Sequence, residues 1–208
     1  DVAPSRGLGD VYKRQMYHTV KAVKTSKNIP ITVVPIMGAA NVRTPERDSL
    51  DLSKELAYAY GGTYHYIYAP LFVNSEEVRD SLEQEPNIKG CLELARNADI
   101  ILTSVGSIVY KSWKSYLSTR DLYNLEKKGA IGHIGGHFYD MEGNEVITPF
   151  VNKMIGLGIE DIKNTENVIC VAGLEMKAEA ILGAVRGGYI NTLITDEEAA
   201  KAVLALCK

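Results

Sequence analysis

The stretch near the C-terminus, VICVAGLEMKAEAILGAVRGGYINTLITDEEAAKAVLAL, constrains the fold more than any other part of the chain. An apolar, β-branched run at residues 168–171 reaches a turn at Gly173, and a helix is predicted to begin at Lys177. A second apolar run at 192–195 stops at Asp196, which is predicted to open the final helix. This order indicates a βαβα unit. In α/β proteins, anions and sugars bind where a strand is followed by a helix.

Strand-like and helix-like segments alternate along most of the chain, which predicts a mainly parallel sheet covered by helices. Residues 130–148 differ, because their glycines and apolar-polar alternation predict a small β-hairpin insert. The predicted strands are 31–37, 63–68, 100–103, 168–171 and 192–195. The predicted helices are 49–60, 75–82, 87–98 and 118–128, followed by those that begin at 177 and 196.

Length and charge limit the class of protein. A chain of 208 residues, 46% of them hydrophobic, is long enough for one substantial α/β core. Its net charge of −3 argues against nucleic-acid binding by this piece alone, because domains that bind nucleic acid are usually basic. No apolar run approaches the roughly 20 residues that span a bilayer, and no signal peptide is recognisable. We therefore expect a soluble, cytoplasmic chain without a membrane partner.

The sequence gives no sign of a cofactor or a metal. It contains neither the GxGxxG dinucleotide pattern nor the Walker lysine pattern, so neither a nicotinamide cofactor nor ATP is indicated. Its three cysteines, Cys91, Cys170 and Cys207, are too few and too scattered for a disulfide framework or a zinc site. His133 and His137 would share a face if they lay on one strand, but no third ligand follows from their spacing.

The loop at residues 173–177 is the first candidate for chemistry. Backbone N–H groups at a helix N-terminus carry about half a positive charge and favour phosphate. A lysine in the first turn is unfavourable for the helix alone, and a bound anion would remove that conflict. The competing interpretation is an ordinary solvated lysine on a short loop between strand and helix.

Two further loops contain small residues at predicted strand ends. Ser104-Val105-Gly106-Ser107 follows the strand at 100–103, and its glycine and hydroxyl groups would let a sugar or phosphate approach the backbone. Gly38-Ala39-Ala40 follows the strand at 31–37 in the same way. Each loop is also explained by a turn that needs a small residue. Together with the loop at 173–177, they would form a crevice at one edge of the sheet.

Five blocks of the sequence, taken in order, resemble those of a known protein family. The blocks ITVVPIMG, LAYAYGGTYHYIYAP, ADIILTSVGS and LEKKGAIGHIGGHFYDMEGN are followed by VICVAGLEMKAEAILGAVRGGYINTLITDEEAA. In the last block an AG-x-x-x-KAEAI segment precedes a GG-x-IN-x-LITDE segment, a combination that α/β patterning rarely produces by chance. Over about residues 16–206 the chain resembles the effector-binding domain of SorC-type bacterial transcriptional regulators.

The resemblance implies a fold and a ligand class. The fold would be a Rossmann-like α/β domain with helices on both faces, similar to glucosamine-phosphate deaminase and ribose-phosphate isomerase. The domain would bind a phosphorylated sugar without turning it over. Lys177 matches the effector-contacting lysine of a loop that reads AGG-x-x-K in the family, with Gly173 beside it. Ser104 and Gly106 match a G-x-G loop, in which Ser104 replaces the first glycine.

Other positions depart from the family pattern. His133 falls where many members carry an acidic residue that reaches the sugar hydroxyls, and this leaves the identity of the sugar open. Met37 and Asp48 fall where some members place polar effector contacts, and a methionine cannot make those hydrogen bonds. The predicted effector-binding residues are Gly38, Ser104, Gly106, Ser107, His133, Gly173 and Lys177, with no catalytic and no metal-binding residue.

The N-terminal segment differs most from the family. Members carry a helix-turn-helix region, a strand and a phosphate-binding loop before the helix that is expected here near Met16. Residues 1–15, DVAPSRGLGDVYKRQ, resemble foreign adaptor sequence, so we expect an atypical segment at 1–15 and an effector domain at 16–208. DNA would then be contacted only through a helix-turn-helix domain that this sequence does not contain.

Three functional hypotheses follow. The first is a sensor whose phosphosugar changes how subunits pair, as a homodimer or homotetramer, and thereby alters DNA binding. The second is a sugar-phosphate isomerase or deaminase with Glu175 or His133 as base. The sequence shows no paired acid and base, which favours binding over catalysis. The third is an oligomerisation domain with a vestigial pocket. Tyr64, Tyr66 and Tyr68 would line one strand face as a packing or oligomer contact.

Overall fold

The computed structural model describes residues 10–25, 27–40, 49–110, 113 and 116–207. Helices and strands alternate over most of this part of the chain. Short 3₁₀ helices lie at Ile108–Tyr110, Val151–Lys153 and Glu175–Lys177. The α-helices are α1 (Asp10–Ala22), α2 (Ser49–Tyr60), α3 (Glu76–Glu83), α4 (Pro86–Arg96), α5 (Thr119–Lys127), α6 (Ile159–Asn164), α7 (Ala178–Arg186) and α8 (Glu197–Leu206).

The strands form two parallel sheets and one antiparallel sheet. The parallel sheets have the orders β1–β2 and β3–β7–β8, and the antiparallel sheet has the order β4–β5–β6. The strands are β1 (Thr32–Val33), β2 (Thr63–Tyr64), β3 (Ile100–Thr103), β4 (Gly106–Ser107), β5 (Gly132–Ile134), β6 (His137–Tyr139), β7 (Asn167–Val171) and β8 (Thr192–Ile194).

The β3–β7–β8 sheet positions the candidate site. Thr103 lies opposite Cys170, and Val171 lies opposite Ile194, so the three strands end at the same edge. Because the strands are parallel, the loops that follow them also meet at this edge. The hydrophobic core under this sheet combines buried residues of β3, β7, α6 and α7, among them Ile101, Val168, Cys170, Ile159, Ile162, Ala180, Ile181 and Ala184.

Helix α7 joins the parallel sheet to the antiparallel one. It is built mainly from small and apolar residues, and most of them are buried. Gly183 allows close approach, because a Cβ there would meet the carbonyl oxygen of Asp140 and the ring of Tyr139. The Tyr139 hydroxyl donates to the Ala180 carbonyl oxygen at 2.8 Å. The two sheets therefore share α7 as a common layer.

A second core lies against the antiparallel sheet. Phe138 of β6 is fully buried and packs edge-to-face against Trp113 and Phe150. A third cluster fills the space between α4 and the segment after β2, with Ile67, Leu92 and Ile155 nearly inaccessible to solvent. The second cluster therefore holds Trp113 and Phe138, whereas Tyr139 of β6 packs into the core of the parallel sheet.

Several expected boundaries are confirmed. Strands β3, β7 and β8 lie within one residue of the predicted runs, and β5 and β6 form the hairpin expected within 130–148. The predicted caps are also present. The Ser75 hydroxyl accepts from the Val78 N–H at the start of α3, and the Asp196 carboxylate accepts from the Ala199 N–H at the start of α8.

Other boundaries are corrected. Helix α1 begins at Asp10 and not near Met16, so residues 10–15 belong to the same helix as the residues after them. Gly106 and Ser107, which were expected in a loop, form β4 because their backbone pairs with β5. The long strands expected at 31–37 and 63–68 shrink to β1 and β2, since the extended segments beyond them are paired only by isolated bridges.

Helix α7 starts one residue later than expected, at Ala178, because Glu175–Lys177 forms a 3₁₀ turn before it. Within the described ranges, no helix has the length and apolar character that crossing a bilayer requires.

Candidate functional site

A crevice of about 180 Å³ lies where β7 and β8 end. Its position agrees with the general rule that ligands of open α/β sheets bind outside the carboxyl ends of the strands. One wall comes from the loops after these strands, and the other comes from helix α1. The lining residues are Gln15, Val171, Ala172, Gly173, Ile194, Thr195 and Asp196.

Lys177 does not line this crevice but contacts Gln15, which does, and it is only 1% exposed. Its ammonium group donates to the Val105 carbonyl oxygen at 2.9 Å and to Gln15 Oε1 at 2.5 Å. Burial lowers the pKa of Lys177 to about 8, while nearby Cys170 acts in the opposite direction. The side chain therefore stays mainly cationic at neutral pH. The interpretation of Lys177 as an ordinary solvated lysine is wrong.

Gln15 connects the two loops that follow β3 and β7. Its Oε1 accepts from Lys177 and also from the Ser104 hydroxyl at 3.3 Å. Its Nε2 donates to the Gly173 carbonyl oxygen at 3.4 Å. The side chain is thus in contact with three of the seven predicted effector-binding residues. Nothing in the local sequence pattern singled out Gln15, because its contacts are with residues far along the chain.

Asp196 is the second residue that sequence reasoning did not place in the site. Its carboxylate accepts from the Leu174 N–H at 2.7 Å as well as from Ala199 at the start of α8. The hydrogen bonds from the backbone N–H groups of Ala199 and Leu174 lower the pKa of Asp196. A Cβ on Gly173 would collide with this carboxylate, which explains the glycine. The helix-opening signal of Asp196 was visible in the sequence, whereas its bond to the neighbouring loop was not.

Leu174 holds an unusual backbone conformation in the same loop. Its φ of 81° makes it the one non-glycine residue with a positive φ in the part of the chain that the structure describes. Such a conformation costs on the order of 1–3 kcal/mol in a residue with a Cβ and is often found at ligand sites. In the loop pattern AGG-x-x-K that the resemblance implies, Leu174 stands at the second glycine.

Of the predicted residues that follow β3, only Ser104 joins the Lys177 network, and Gly106 and Ser107 of β4 have other contacts. Ser104 is 1% exposed, and its hydroxyl joins the Gln15 and Lys177 network. Gly106 is covered by the His133 ring, since a Cβ there would collide with His133 Nε2. The Ser107 hydroxyl accepts from the Val109 N–H at 3.4 Å and so supports the 3₁₀ turn at Ile108–Tyr110.

His133 is buried in the aromatic core and does not line the crevice. Its ring packs edge-to-face on Trp113 at 5.1 Å and lies 5.6 Å from the Phe138 ring. Burial, aided by the positive charge of Lys177, lowers the pKa of His133 to about 3, so the ring is neutral at physiological pH. A role for His133 in contacting an effector stays a prediction.

His133 and His137 do not form the metal pair that one strand would allow. The turn at Gly135-Gly136 places them on opposite strands of the hairpin, where His133 pairs with Phe138 and His137 pairs with Ile134. Their side chains therefore lie on opposite faces. His137 instead contacts Glu145 Oε1 at 2.8 Å and the Leu157 carbonyl oxygen at 2.9 Å. Among the described residues, no group of three or more potential ligands could hold a metal ion.

The remaining predicted residues lie apart from the crevice lining. Gly38 is buried, and its N–H donates to the Ile155 carbonyl oxygen at 2.9 Å. A Cβ at Gly38 would meet the carbonyl oxygen of Pro70, so the glycine permits two backbone segments to approach. Met37 forms a bridge with Gly156, and Asp48 lies outside the described residues.

Glu175 is exposed at the start of its 3₁₀ turn, as a solvated loop glutamate would be. Tyr64, Tyr66 and Tyr68 have their rings in contact, as expected from their spacing: Tyr64 and Tyr66 are tilted by 49°, and Tyr66 and Tyr68 meet edge-to-face. They line an open groove of about 460 Å³ together with residues of α4.

The fold and the crevice define an α/β ligand-binding domain. The chain matches the family model described as "Putative sugar-binding domain" over residues 8–205, and it belongs to that family. A structure described as a putative SorC family transcriptional regulator from Enterococcus faecalis is 28% identical, with a TM-score of 0.74, over 91% of this chain and 76% of that one. The resemblance to the effector domains of SorC-type regulators is thereby confirmed.

Two curated relatives are transcriptional regulators of Escherichia coli. The regulator YjhU of strain K12 is 28% identical over 203 residues, which cover 95% of this chain and 61% of YjhU. The regulator LsrR is 35% identical over 144 residues, which cover 66% of this chain and 45% of LsrR. The chain therefore spans about three fifths or less of the length of these relatives.

A solved structure supports the fold. The full-length sorbitol operon regulator SorC from Klebsiella pneumoniae superposes with a TM-score of 0.87, at 24% identity, over 93% of this chain and 64% of that one. At this level of identity the likeness shows the fold alone. The Rossmann-like α/β class is confirmed.

Proposed function

We propose that this domain binds a phosphorylated sugar at the crevice above Lys177 and senses it for a transcriptional regulator. The observation that carries the proposal is a buried ammonium group, Lys177, directly behind the crevice at the ends of the parallel strands. A phosphate is the natural partner for a cation in this position, because charge-assisted hydrogen bonds are stronger than neutral ones. The sugar would extend toward Asp196, whose carboxylate accepts hydrogen bonds from hydroxyl groups.

Membership in the sugar-binding family supports the carbohydrate part of the proposal. The curated relatives support the regulatory part, since YjhU and LsrR are both transcriptional regulators and both extend beyond the matched region. A ligand that favours one subunit arrangement over another would change DNA affinity in the intact protein. We further propose that the domain acts without catalysis, in the cytoplasm, and as a homodimer or homotetramer.

The predicted effector-binding residues divide into two sets under this proposal. Lys177, Gly173 and Ser104 share the network at the crevice and would contact the phosphate or hold the residues that do. Gly38, Gly106, Ser107 and His133 would act by shaping the backbone and the core behind it.

Thermal unfolding with matched pairs of sugars tests the ligand class. Ribose 5-phosphate and glucose 6-phosphate should each be compared with ribose and glucose. A phosphosugar at 100 times its dissociation constant stabilises the folded state by about 2.7 kcal/mol, which for a domain of this size raises the Tm by roughly 5–10 °C. Equal effects of the phosphorylated and free sugars would contradict a phosphate site.

A lysine variant tests the location of the site. Lys177→Met keeps the aliphatic stem and removes the charge, so we expect titration calorimetry to show at least tenfold weaker binding of the phosphosugar. Lys201→Met on the exposed face of α8 is the matched control and should bind normally. Undiminished affinity in the Lys177 variant would place the ligand elsewhere. Turnover of any bound phosphosugar, followed by NMR, would contradict the non-catalytic role.

A further inference from the structure

The amide of Gln15 occupies the place beside Lys177 that an anionic ligand would need. Its Oε1 lies 2.5 Å from Lys177 Nζ and 3.3 Å from the Ser104 hydroxyl. Its Nε2 lies 3.4 Å from the Gly173 carbonyl oxygen. An amide oxygen that accepts from an ammonium and a hydroxyl group makes the same two contacts that a phosphoryl oxygen would make. The Gln15 side chain also forms part of the crevice wall.

We propose that Gln15 is a displaceable plug: it covers the Lys177 ammonium group, and an anionic ligand must replace it. This inference rests on the proposed function, because it assigns the first step of ligand entry to the same site. The plug comes from helix α1, whereas the residues it covers come from the loops after β3 and β7. Although residues 1–15 resemble foreign sequence, Gln15 belongs to the helix that continues to Ala22 and lies within the family match at residues 8–205. Rotation of the glutamine side chain suffices to open the site, since a long unbranched side chain has several staggered conformations.

The contacts of Gln15 explain why the plug would select for charge. Two of them, at 3.3 and 3.4 Å, are near the long end of the hydrogen-bond range, and the short one joins a neutral acceptor to a cation. A phosphate group forms stronger, charge-assisted bonds with the same ammonium group. A neutral sugar hydroxyl offers Lys177 no better partner than the amide does. The plug therefore yields to phosphorylated sugars and keeps free sugars out.

Two substitutions of Gln15 should change the affinity for an anion in opposite directions. Gln15→Ala removes the competing amide and should expose the Lys177 ammonium group. Gln15→Glu places a carboxylate against it, which forms an ion pair and repels an incoming anion. Gln84, exposed at the end of α3, provides matched controls with the same two substitutions.

The first measurement needs no ligand. Brief acetylation followed by peptide mass spectrometry gives the labelling rate of each lysine in the folded protein. We expect Lys177 to be labelled several-fold faster in Gln15→Ala than in the wild type, with the rate unchanged in Gln84→Ala. An unchanged rate in Gln15→Ala overturns the plug, whatever the binding data show.

The second measurement is the affinity for inorganic phosphate and for ribose 5-phosphate, by titration calorimetry at constant ionic strength. Because one net hydrogen bond no longer competes, Gln15→Ala should bind both probes roughly fivefold tighter than the wild type. Gln15→Glu should bind at least tenfold weaker, and both Gln84 variants should match the wild type. Equal or weaker binding by Gln15→Ala, alongside a wild type that binds, overturns displacement and leaves the proposed function standing. Absence of binding in every variant overturns the proposed function, and the plug with it.

Discussion

Two basic side chains are buried near each other in this domain. Lys177 follows the end of β7 in the parallel sheet, and His133 lies in the antiparallel sheet. Both are about 1% exposed, and for both the loss of water lowers the pKa. The outcome differs. Lys177, with a pKa of about 8, remains largely cationic near pH 7, whereas His133, with a pKa of about 3, is neutral.

The surroundings explain the difference. Lys177 contacts oxygen atoms, those of the Val105 backbone and the Gln15 amide, so its charge is compensated by polar partners. His133 packs against the rings of Trp113 and Phe138, which offer an imidazolium far less than water does. Burial of a basic group therefore does not by itself identify a ligand site. Polar partners beside a crevice support that role for Lys177, while the aromatic packing of His133 supports a structural one.

Lowering the pH should reduce the stability of the domain through His133, and this is the largest effect that we expect. The pKa of His133 is about 3 in the folded state against 6.5 for an ordinary histidine, so the unfolded chain binds more protons below pH 6.5. The stability that depends on the neutral ring is present above pH 6.5 and is lost as the pH falls toward 3. From pH 7 to pH 4.5 the wild type should lose about 2.5 kcal/mol more than His133→Phe.

Urea unfolding at both pH values measures this difference, and His65→Phe at an exposed position is the control. Comparison within each variant cancels any packing change that the phenylalanine introduces. An equal acid loss in the wild type and in His133→Phe would contradict a neutral, desolvated His133.

A substitution at Gly106 tests how tightly the His133 ring is packed. A Cβ there would collide with the His133 ring, which the neighbouring aromatic rings prevent from moving aside. Gly106→Ala should therefore destabilise the domain by about 2 kcal/mol, typical of overpacking in a close-packed core. The matched control is Gly90→Ala on α4, where a Cβ meets nothing within 4 Å. There we expect a gain of roughly 0.5–1 kcal/mol, because alanine favours the helix.

Raising the pH tests the burial of the Lys177 charge. The pKa of Lys177 is about 8 in the folded state against 10.5 for an ordinary lysine, so the unfolded chain binds more protons between these values. The cost of burying the charge is fully present below pH 8 and is relieved as the pH rises. The wild type should therefore gain about 2 kcal/mol relative to Lys177→Met between pH 7 and pH 9.5.

Other groups also titrate between pH 7 and pH 9.5. Their contributions cancel when the wild type is compared with Lys177→Met at each pH. Burial raises the pKa of Cys170 to about 11, for example, and this acts in the destabilising direction in both proteins. The exposed Lys201→Met serves as control. If the cost of Lys177→Met stays constant or falls with rising pH, Lys177 is not a desolvated cation.

The sequence predicted the β3–β7–β8 sheet better than the β1–β2 sheet or the antiparallel sheet. The runs that became β3, β7 and β8 are apolar, rich in β-branched residues and bounded by turn residues, so local pattern alone marks them. β4 has only two residues, Gly106 and Ser107, which have low strand propensity and pair with β5 because of tertiary contacts. The hairpin was expected, but the glycine turn that separates His133 from His137 was not placed.

The same distinction holds for the candidate site. Gly173, Lys177 and Ser104 were predicted from their positions at strand ends, and the structure brings them into one network. Gln15 was missed because its contacts span 89 to 162 residues along the chain, and no local pattern encodes such a contact. Residue types at strand ends thus predict which loop residues come together, while the side chain that contacts them is found only in three dimensions.

The smallest expected effect concerns backbone strain, which again differs between the two regions. The hairpin turn near His133 has glycine at both of its positive-φ positions, Gly135 and Gly136. The loop before Lys177 instead has Leu174 at a φ of 81°, with its side chain 38% exposed. Relief of this strain by Leu174→Gly is partly offset by the entropy that a glycine loses on folding.

We therefore expect Leu174→Gly to stabilise the ligand-free domain by about 0.5 kcal/mol, a rise in Tm of roughly 1–2 °C. Leu94→Gly on α4, 44% exposed and in ordinary helical conformation, is the matched control and should lose about 1 kcal/mol. A loss at Leu174 as large as that at Leu94 would mean that the leucine side chain contributes packing that outweighs its backbone strain. In that case strain would no longer distinguish the Lys177 loop from the hairpin turn, and the contrast between the two regions would depend on their polar and aromatic surroundings alone.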